Sequence, residues 1–185
     1  MSKVALKPGT FLYPVPAVLV TCGPLEKPNI ITLAWVGTVC SSPPMVGISI
    51  RPSRYSHGLV RQHGEFAVNL PTADLVRATD YCGTVSGRKV DKFKQAALTP
   101  VPAKAIGTAI IAECPVNIEC RVVRVISLGS HDLFVGEIVA VQADAEVLND
   151  RREIDLTRAK PLAYGSARYW SLGQLLGSYG YSSKE

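Results

Sequence analysis

The sequence predicts a mainly β fold, an antiparallel barrel of Greek-key type with a few short helices, and three observations carry that expectation. Segments rich in Val and Ile recur along the chain, the composition that fits a pleated, half-buried surface. Several of them follow one another through Gly or Pro turns with no helix between them, which favours an antiparallel barrel over a doubly wound parallel sheet. Val46, Ile48 and Ile50 alternate with Gly47 and Ser49, a period of two that sends one face to a core and leaves small side chains on the other.

In chain order, strands are expected at 17–22, 30–40, 45–50, 66–70, 108–113, 116–127 and 133–143. Helices are expected at 55–62, 73–81 and 90–96, each preceded by a polar residue able to cap it. The stretches 100–104 and 151–155 read as loops without the length or polarity of an interdomain linker. The tail from Pro161 carries Tyr164, Tyr169, Trp170, Leu172, Leu175, Leu176, Tyr179 and Tyr181 among glycines, an aromatic density that packs on a barrel flank, a cofactor or a second subunit.

With 185 residues, the chain is read as a single domain over 1–185. Hydrophobic residues make up 47% and charged residues 19%, enough for a core and for apolar surface that leans toward an oligomer. Twenty Lys and Arg against 15 Asp and Glu leave a charge of +5, which suits nucleic acid, acidic membranes or phosphorylated small molecules. The basic residues are scattered from Lys3 to Lys184, so phosphate-bearing small molecules rank above polymers and no nucleic-acid partner is expected.

Five cysteines, Cys22, Cys40, Cys82, Cys114 and Cys120, form no C-x-x-C pair, which argues for reduced, mostly buried thiols. Neither a secretory leader nor an apolar run of bilayer length is visible, so the expected address is the cytoplasm, with no membrane partner.

Three stretches carry candidate chemistry. Arg51-Pro-Ser-Arg-Tyr-Ser56-His57 lies between a strand and a helix. There Ser53 or a neighbour would cap the helix while its first N–H groups and the Arg51 and Arg54 charges meet an anion. Taken alone, such a string is more often a plain cap on a solvated surface. A second basic helix start at Ser86-Gly-Arg-Lys-Val-Asp-Lys-Phe93 could bring Ser86, Arg88 and Lys92 to the same anion.

The third stretch, Asn29-Ile-Ile-Thr32-Leu-Ala34-Trp35, places Thr32 and Ala34 on one strand face. A flat heteroaromatic ring could be read there by main-chain groups, or the segment is an ordinary half-buried strand with a core tryptophan. His57, His63 and His131 are too isolated for a metal site, and none is expected. His131 suits either a satisfied rim position or contact with a ligand over the barrel mouth. No G-x-S-x-G elbow, P-loop or G-x-G-x-x-G turn occurs, so a nicotinamide nucleotide would have to lay its ring on another bound ring.

Taken in order, these segments resemble the flavoredoxin branch of the flavin reductase family with its FMN-binding split barrel. The resemblance also includes Ser42-Pro-Pro-Met-Val-Gly-Ile-Ser49, Gly64-Glu-Phe-Ala-Val-Asn69, Cys82-Gly83, Glu113-Cys-Pro115 and His131-Asp-Leu-Phe-Val-Gly-Glu137. It implies FMN at a homodimer interface, with Ser49, Arg51, Ser53, Arg54, Tyr55 and Ser56 serving the ribityl phosphate and Ser86 and Lys92 closing on it. It further places Asn29, Thr32, Leu33, Ala34 and Trp35 along the isoalloxazine, and His131 and Tyr169 near its reactive face.

Family members often show Thr for Ser56, an acid for Lys89, and Gly-Asp-His-Thr for Gly129-Ser-His-Asp132. The implied function is an NAD(P)H-dependent reductase of flavin, ferric or other acceptors, with His131 as its catalytic candidate. The alternatives are an FMN electron carrier reduced by a protein partner and, remotely, a non-enzymatic barrel that binds RNA.

Overall fold

The computed structural model describes residues 1–183, and Lys184, among the scattered basic residues, lies outside them. Seven strands form the main sheet: β2 (Val18–Cys22), β3 (Asn29–Leu33), β4 (Val36–Ser41), β5 (Pro44–Ile50), β6 (Glu65–Leu70), β9 (Val116–Ser127) and β10 (Asp132–Ala143). Their order is β3-β2-β6-β9-β10-β5-β4, and every neighbouring pair is antiparallel.

That order forces the sheet to curl. β3 and β4 stand at its two opposite edges, yet only Ala34 and Trp35 join them. Flat, a seven-stranded sheet would hold its edge strands about 29 Å apart, whereas the link spans at most about 11 Å. The sheet therefore rolls until its edges nearly meet, leaving a seam at Ala34–Trp35. The expected single strand over 30–40 is broken there because the chain must step from one edge to the other. Trp35 stays tied to the far side through its carbonyl, which accepts from Ser49 N at 3.0 Å.

Burial of the inward faces drives the roll. Val20, Ile31, Ile48, Phe66 and Phe134 share one buried cluster drawn from strands at both ends of the sheet order, which a flat sheet could not assemble. Val46, Ile48 and Ile50 are all buried, as the alternation required. A bulge at Gly136 bends β10 over the core, and a methyl group added there would sit 2.6 Å from the Phe66 ring.

The helices follow the expected places with shifted bounds. α1 runs over Tyr55–His63, α2 over Val76–Thr84 after a 3₁₀ turn at Ala73–Leu75, and α3 only over Lys92–Gln95. A capping side chain serves α3 alone among these, where Asp91 accepts from Lys94 N; α1 and α2 have none. The polar residue ahead of α1 was expected to cap it, and its first turn is instead open toward a cleft.

β7 (Pro100–Pro102) pairs with β8 (Ala109–Ile111) in a separate ribbon, so the stretch read as a loop at 100–104 is partly strand and the strand at 108–113 is shorter. Glu119, fully buried, gathers the intervening loop by accepting from Lys104 N, Ala105 N and Gln142 Nε2. After α4 (Leu156–Ala159), β11 (Leu162–Gly165) and β12 (Arg168–Ser171) join β1 (Val15–Pro16) in a three-stranded sheet.

The aromatic tail thus divides. Tyr164 and Tyr169 pack edge to face at 5.5 Å, while Leu175, Leu176, Tyr179 and Tyr181 stand exposed. No helix among the described residues is long and apolar enough to cross a membrane.

Candidate functional site

The seam opens into a cleft of about 440 Å³. Thr32, Leu33, Ala34, Trp35 and Ser49 line it from the barrel, with His131 ahead of β10 and Tyr169 from β12. A smaller cleft of about 280 Å³ adjoins it, lined by Ser53, Tyr55, Ser56, Ser86 and Lys92. Ile31, Arg51, Arg54 and Gly83 face both, so the two form one bent groove with a broad half and a basic half.

Every residue expected at a binding site lines one half or the other except Asn29 and Arg88. Asn29 lies behind the groove, where its Nδ2 donates to Ser56 Oγ at 2.7 Å. This leaves the Ser56 hydroxyl proton free to donate into the basic half.

The broad half offers backbone groups to a ring edge. Thr32 Oγ1 donates to the Thr79 carbonyl on α2, so its hydroxyl is already engaged. β3 is an edge strand, and the Ile30 carbonyl points away from β2 toward Lys92. By strand alternation the N–H and C=O of Thr32, two residues on, share that unpaired side. Trp35, 51% exposed, is no core residue; it stands at the seam with its ring 5.4 Å from that of His131.

Nδ1 of His131 lies 2.9 Å from Ser130 Oγ, and partial burial followed by the Arg51 charge holds its pKa below the usual range. The imidazole is neutral near pH 7 and offers a hydrogen bond without a charge. Tyr169 donates to Asp80 Oδ1 at 3.2 Å, and burial first, then the Asp80 charge, pushes its pKa up to about 12. Its hydroxyl therefore stays protonated.

The basic half suits an anion on three counts. The first turn of α1 has no side-chain cap, Arg51 and Arg54 stand beside it, and Lys92 closes the wall. Lys92 is only 5% exposed, with Nζ donating to the Ile30 carbonyl at 2.7 Å and the Cys82 carbonyl at 2.6 Å. Desolvation lowers its pKa. Two of its three protons are thus committed, leaving one for a ligand. Arg88 does not join this half; its guanidinium lies 5.5 Å from the Tyr55 ring centroid and faces a neighbouring cleft.

Gly87 sets how closely the second loop approaches. A methyl group there would sit 1.9 Å from Asn29 Oδ1 and 3.1 Å from Tyr55 Cδ1. Gly87→Ala is expected to push Asn29 off Ser56 and weaken binding of a phosphate ester about tenfold. Titration of the variant against the parent checks this, and equal affinities would show that the loop yields freely.

His57 is buried and pairs with Asp132, Nε2 to Oδ2 at 2.8 Å, with the Phe134 ring edge-on to the imidazole at 5.2 Å. The pair ties α1 to the strand that begins beside His131. Hydrogen bonds from His57 first and Ser127 second hold the Asp132 carboxyl below its usual 3.8. A depressed carboxyl stabilises the fold above its unfolded pKa, and that contribution is lost as pH falls from there through the folded value. Asp132→Asn is expected to flatten the loss of urea resistance as pH falls below the usual carboxyl range. An acid limb identical to the parent's would assign acid sensitivity to other groups.

Cys22, Cys82, Cys114 and Cys120 are buried, Cys40 is half-buried, and all five are unpaired. Burial pushes Cys22 and Cys120 up to about 12 and Cys82 up to about 11, so these thiols are poor nucleophiles. No cluster of metal-ligating side chains occurs among the described residues. Asp80, Gly83, Thr84, Tyr164 and Ala167 also line the broad half. Sequence reasoning gave none of them a site role, although Cys82-Gly83 was among the segments that carried the resemblance.

A curled antiparallel barrel with a seam, a ring-sized cleft along one edge strand and a basic pocket at a helix start defines a flavin-type split barrel. The chain belongs to the flavin reductase family, matching its flavin reductase like domain over residues 10–173. The flavoredoxin of Desulfovibrio vulgaris (Miyazaki F) superposes with a TM-score of 0.93 at 32% identity, covering 99% of this chain and 100% of that one. The flavoredoxin of Methanosarcina acetivorans does so with a TM-score of 0.92 at 32% identity, over 100% and 98%. An uncharacterised protein of Archaeoglobus fulgidus is 43% identical over 131 residues, 71% of this chain and 73% of that one.

Proposed function

We propose that this chain is an FMN oxidoreductase that takes hydride from NAD(P)H and passes electrons to a flavin, ferric or other acceptor. The observation that carries the reading is the bent groove itself. Its broad half presents the unpaired edge of β3 to a flat ring, and its basic half gathers Arg51, Arg54 and one free Lys92 proton around an uncapped helix start. Bound FMN would supply the redox chemistry, accepting hydride and releasing electrons singly or in pairs.

The protein's own groups bind and orient. Arg51 and Ser56 hold the phosphate by charge-assisted and hydroxyl hydrogen bonds. The Thr32 backbone reads the ring edge, and Ser49 and Ala34 keep the approach open by being small. His131, uncharged and tilted against Trp35, orients a second ring laid on the first, and Tyr169 closes the groove from the tail sheet. Stacking of donor on acceptor brings the reacting atoms within range without a separate nucleotide-binding domain.

The exposed N-terminal Val4, Leu6, Phe11 and Leu12 and the exposed tail favour a homodimer, since so much apolar surface is costly to leave wet. Unpaired thiols throughout suit a reducing compartment such as the cytoplasm.

Anaerobic mixing of the FMN-loaded protein with NADH or NADPH is expected to bleach the flavin absorption. His131→Ala is expected to keep FMN and slow that bleaching about tenfold or more. Absence of bleaching with either nucleotide would leave an electron carrier reduced by a protein partner, the reading that similarity to flavoredoxins favours.

A further inference from the structure

His131 stands at the end of a turn that gives it little support. Ser127, Leu128, Gly129 and Ser130, which lead into it from β9, are all exposed. β6 pairs with β9 only as far as Arg121, with one further bond from Val122 N to the Gly64 carbonyl. Beyond that point the end of the β9–β10 hairpin is held in the sheet through β5 alone, where Asp132 faces Ile50. Asp132 is the first buried residue after the turn, 6% exposed.

Asp132 does not line the groove. Its carboxylate meets His57 Nε2 at 2.8 Å, with the side chains of both residues 9% exposed. His57 belongs to the first turn of α1 and follows Ser56 directly. The Phe134 ring, edge-on at 5.2 Å, packs against the imidazole. Arg61, about one turn further along α1, brings Nη1 within 3.9 Å of the same carboxylate oxygen.

We propose that His57 and Asp132 are a positioning pair, setting the His131 ring over the broad half of the groove from a fixed point on α1. The inference rests on the reductase reading above and adds to it two residues that act through His131 without touching a ligand. Adjacency in the chain carries the effect. Ser56 faces the basic half and His131 the broad half, and the next residue after each is a member of the pair. One buried hydrogen bond therefore spans from the phosphate end of the groove to the reactive end.

The chemistry of the pair fits placement better than strength. A buried carboxylate–imidazole contact adds little net stability over an apolar pair of the same size, but a hydrogen bond fixes a direction that an apolar contact leaves loose. The other contacts of His131 do not supply this. Ser130 Oγ, 2.9 Å from Nδ1, moves with the same exposed turn, and Trp35 lies tilted beside the ring without a hydrogen bond to it.

The test is anaerobic stopped-flow reduction of the FMN-loaded protein by NADH and NADPH, in the parent, Asp132→Ala, His131→Ala and the double variant. Asp132→Ala is expected to hold FMN within about threefold of the parent and to slow reduction about tenfold at saturating nucleotide. The double variant is expected to be no slower than His131→Ala, since nothing is then left to position; a general structural loss would instead multiply, to about 100-fold. Should Asp132→Ala not fold, Asp132→Thr, one bond too short to reach His57 and suited to a strand, enters the same cycle. His57→Gln/Asp132→Asn, which keeps a hydrogen bond between the two positions without charge, is expected to reduce within about threefold of the parent.

Reduction of Asp132→Ala at the parent rate overturns the positioning role and leaves the reductase reading intact, as do multiplying effects in the double variant or an amide pair as slow as the alanine variant. A His131→Ala protein as fast as the parent also overturns it, because His131 would then have no task to be placed for. No reduction of the parent by either nucleotide overturns the reductase reading and this one with it.

Discussion

Arg51→Ala/Ser56→Ala should weaken FMN binding by about 100-fold or more. A hydrogen bond to a charged group contributes about 1.5–3 kcal/mol, two are removed, and each 1.4 kcal/mol is about tenfold in affinity. The loss is expected to exceed that of an ordinary surface pair because Ser56 is 2% exposed and its orientation is preset by Asn29 Nδ2 at 2.7 Å. Asn29→Ala, which touches no cleft-facing charge, is expected to reproduce a smaller part of the same loss.

The readout is the dissociation constant for FMN set beside that for riboflavin, which lacks the phosphate. The double variant should bind the two alike. An unchanged preference for FMN would place the phosphate elsewhere on the barrel.

Lys92→Met should cost both stability and cofactor. In the parent, one ammonium donates to the Ile30 and Cys82 carbonyls, cross-linking the edge strand β3 to the end of α2. Methionine fills a similar volume but donates nothing, so two buried acceptors are left without their donor. Each costs about 1–3 kcal/mol, and a loss of about 2–6 kcal/mol in urea-induced unfolding is expected.

FMN affinity should fall as well, by the charge removed from the basic half. A variant as stable as the parent would mean that water replaces the ammonium at both carbonyls. A variant destabilised but with full FMN affinity would mean that Arg51 and Arg54 suffice for the phosphate.

Much of the groove was legible because its chemistry is local. Arg51 to Arg54 link β5 to α1, and Tyr55 and Ser56 open that helix, so a strand followed by basic residues and a helix start already suggests an anion site. The second loop was legible for the same reason, although of its basic and hydroxyl members only Ser86 and Lys92 line the basic half. Other parts depend on partners far apart in the chain. Tyr169 meets Asp80 across 89 positions and His57 meets Asp132 across 75, and neither residue of either pair marks the other by spacing or type.

The seam shows the limit most clearly. Ile30 to Cys40 is rich in strand-forming residues, and its two weak members, Ala34 and Gly37, do not by themselves mark an edge-to-edge step at Ala34.

By itself, then, the amino-acid order determined a β-rich chain, the inward faces of its strands, and two basic turns suited to a phosphate. These follow from periodicity and from charge placed beside helix starts, which act over a few residues. Only the tertiary structure decided that one predicted strand becomes two opposite edges, that Asn29 supports the groove from behind, and that Arg88 faces a different cleft. Those outcomes come from rolling a seven-stranded sheet until a two-residue link can close it, a distance constraint that no local segment contains.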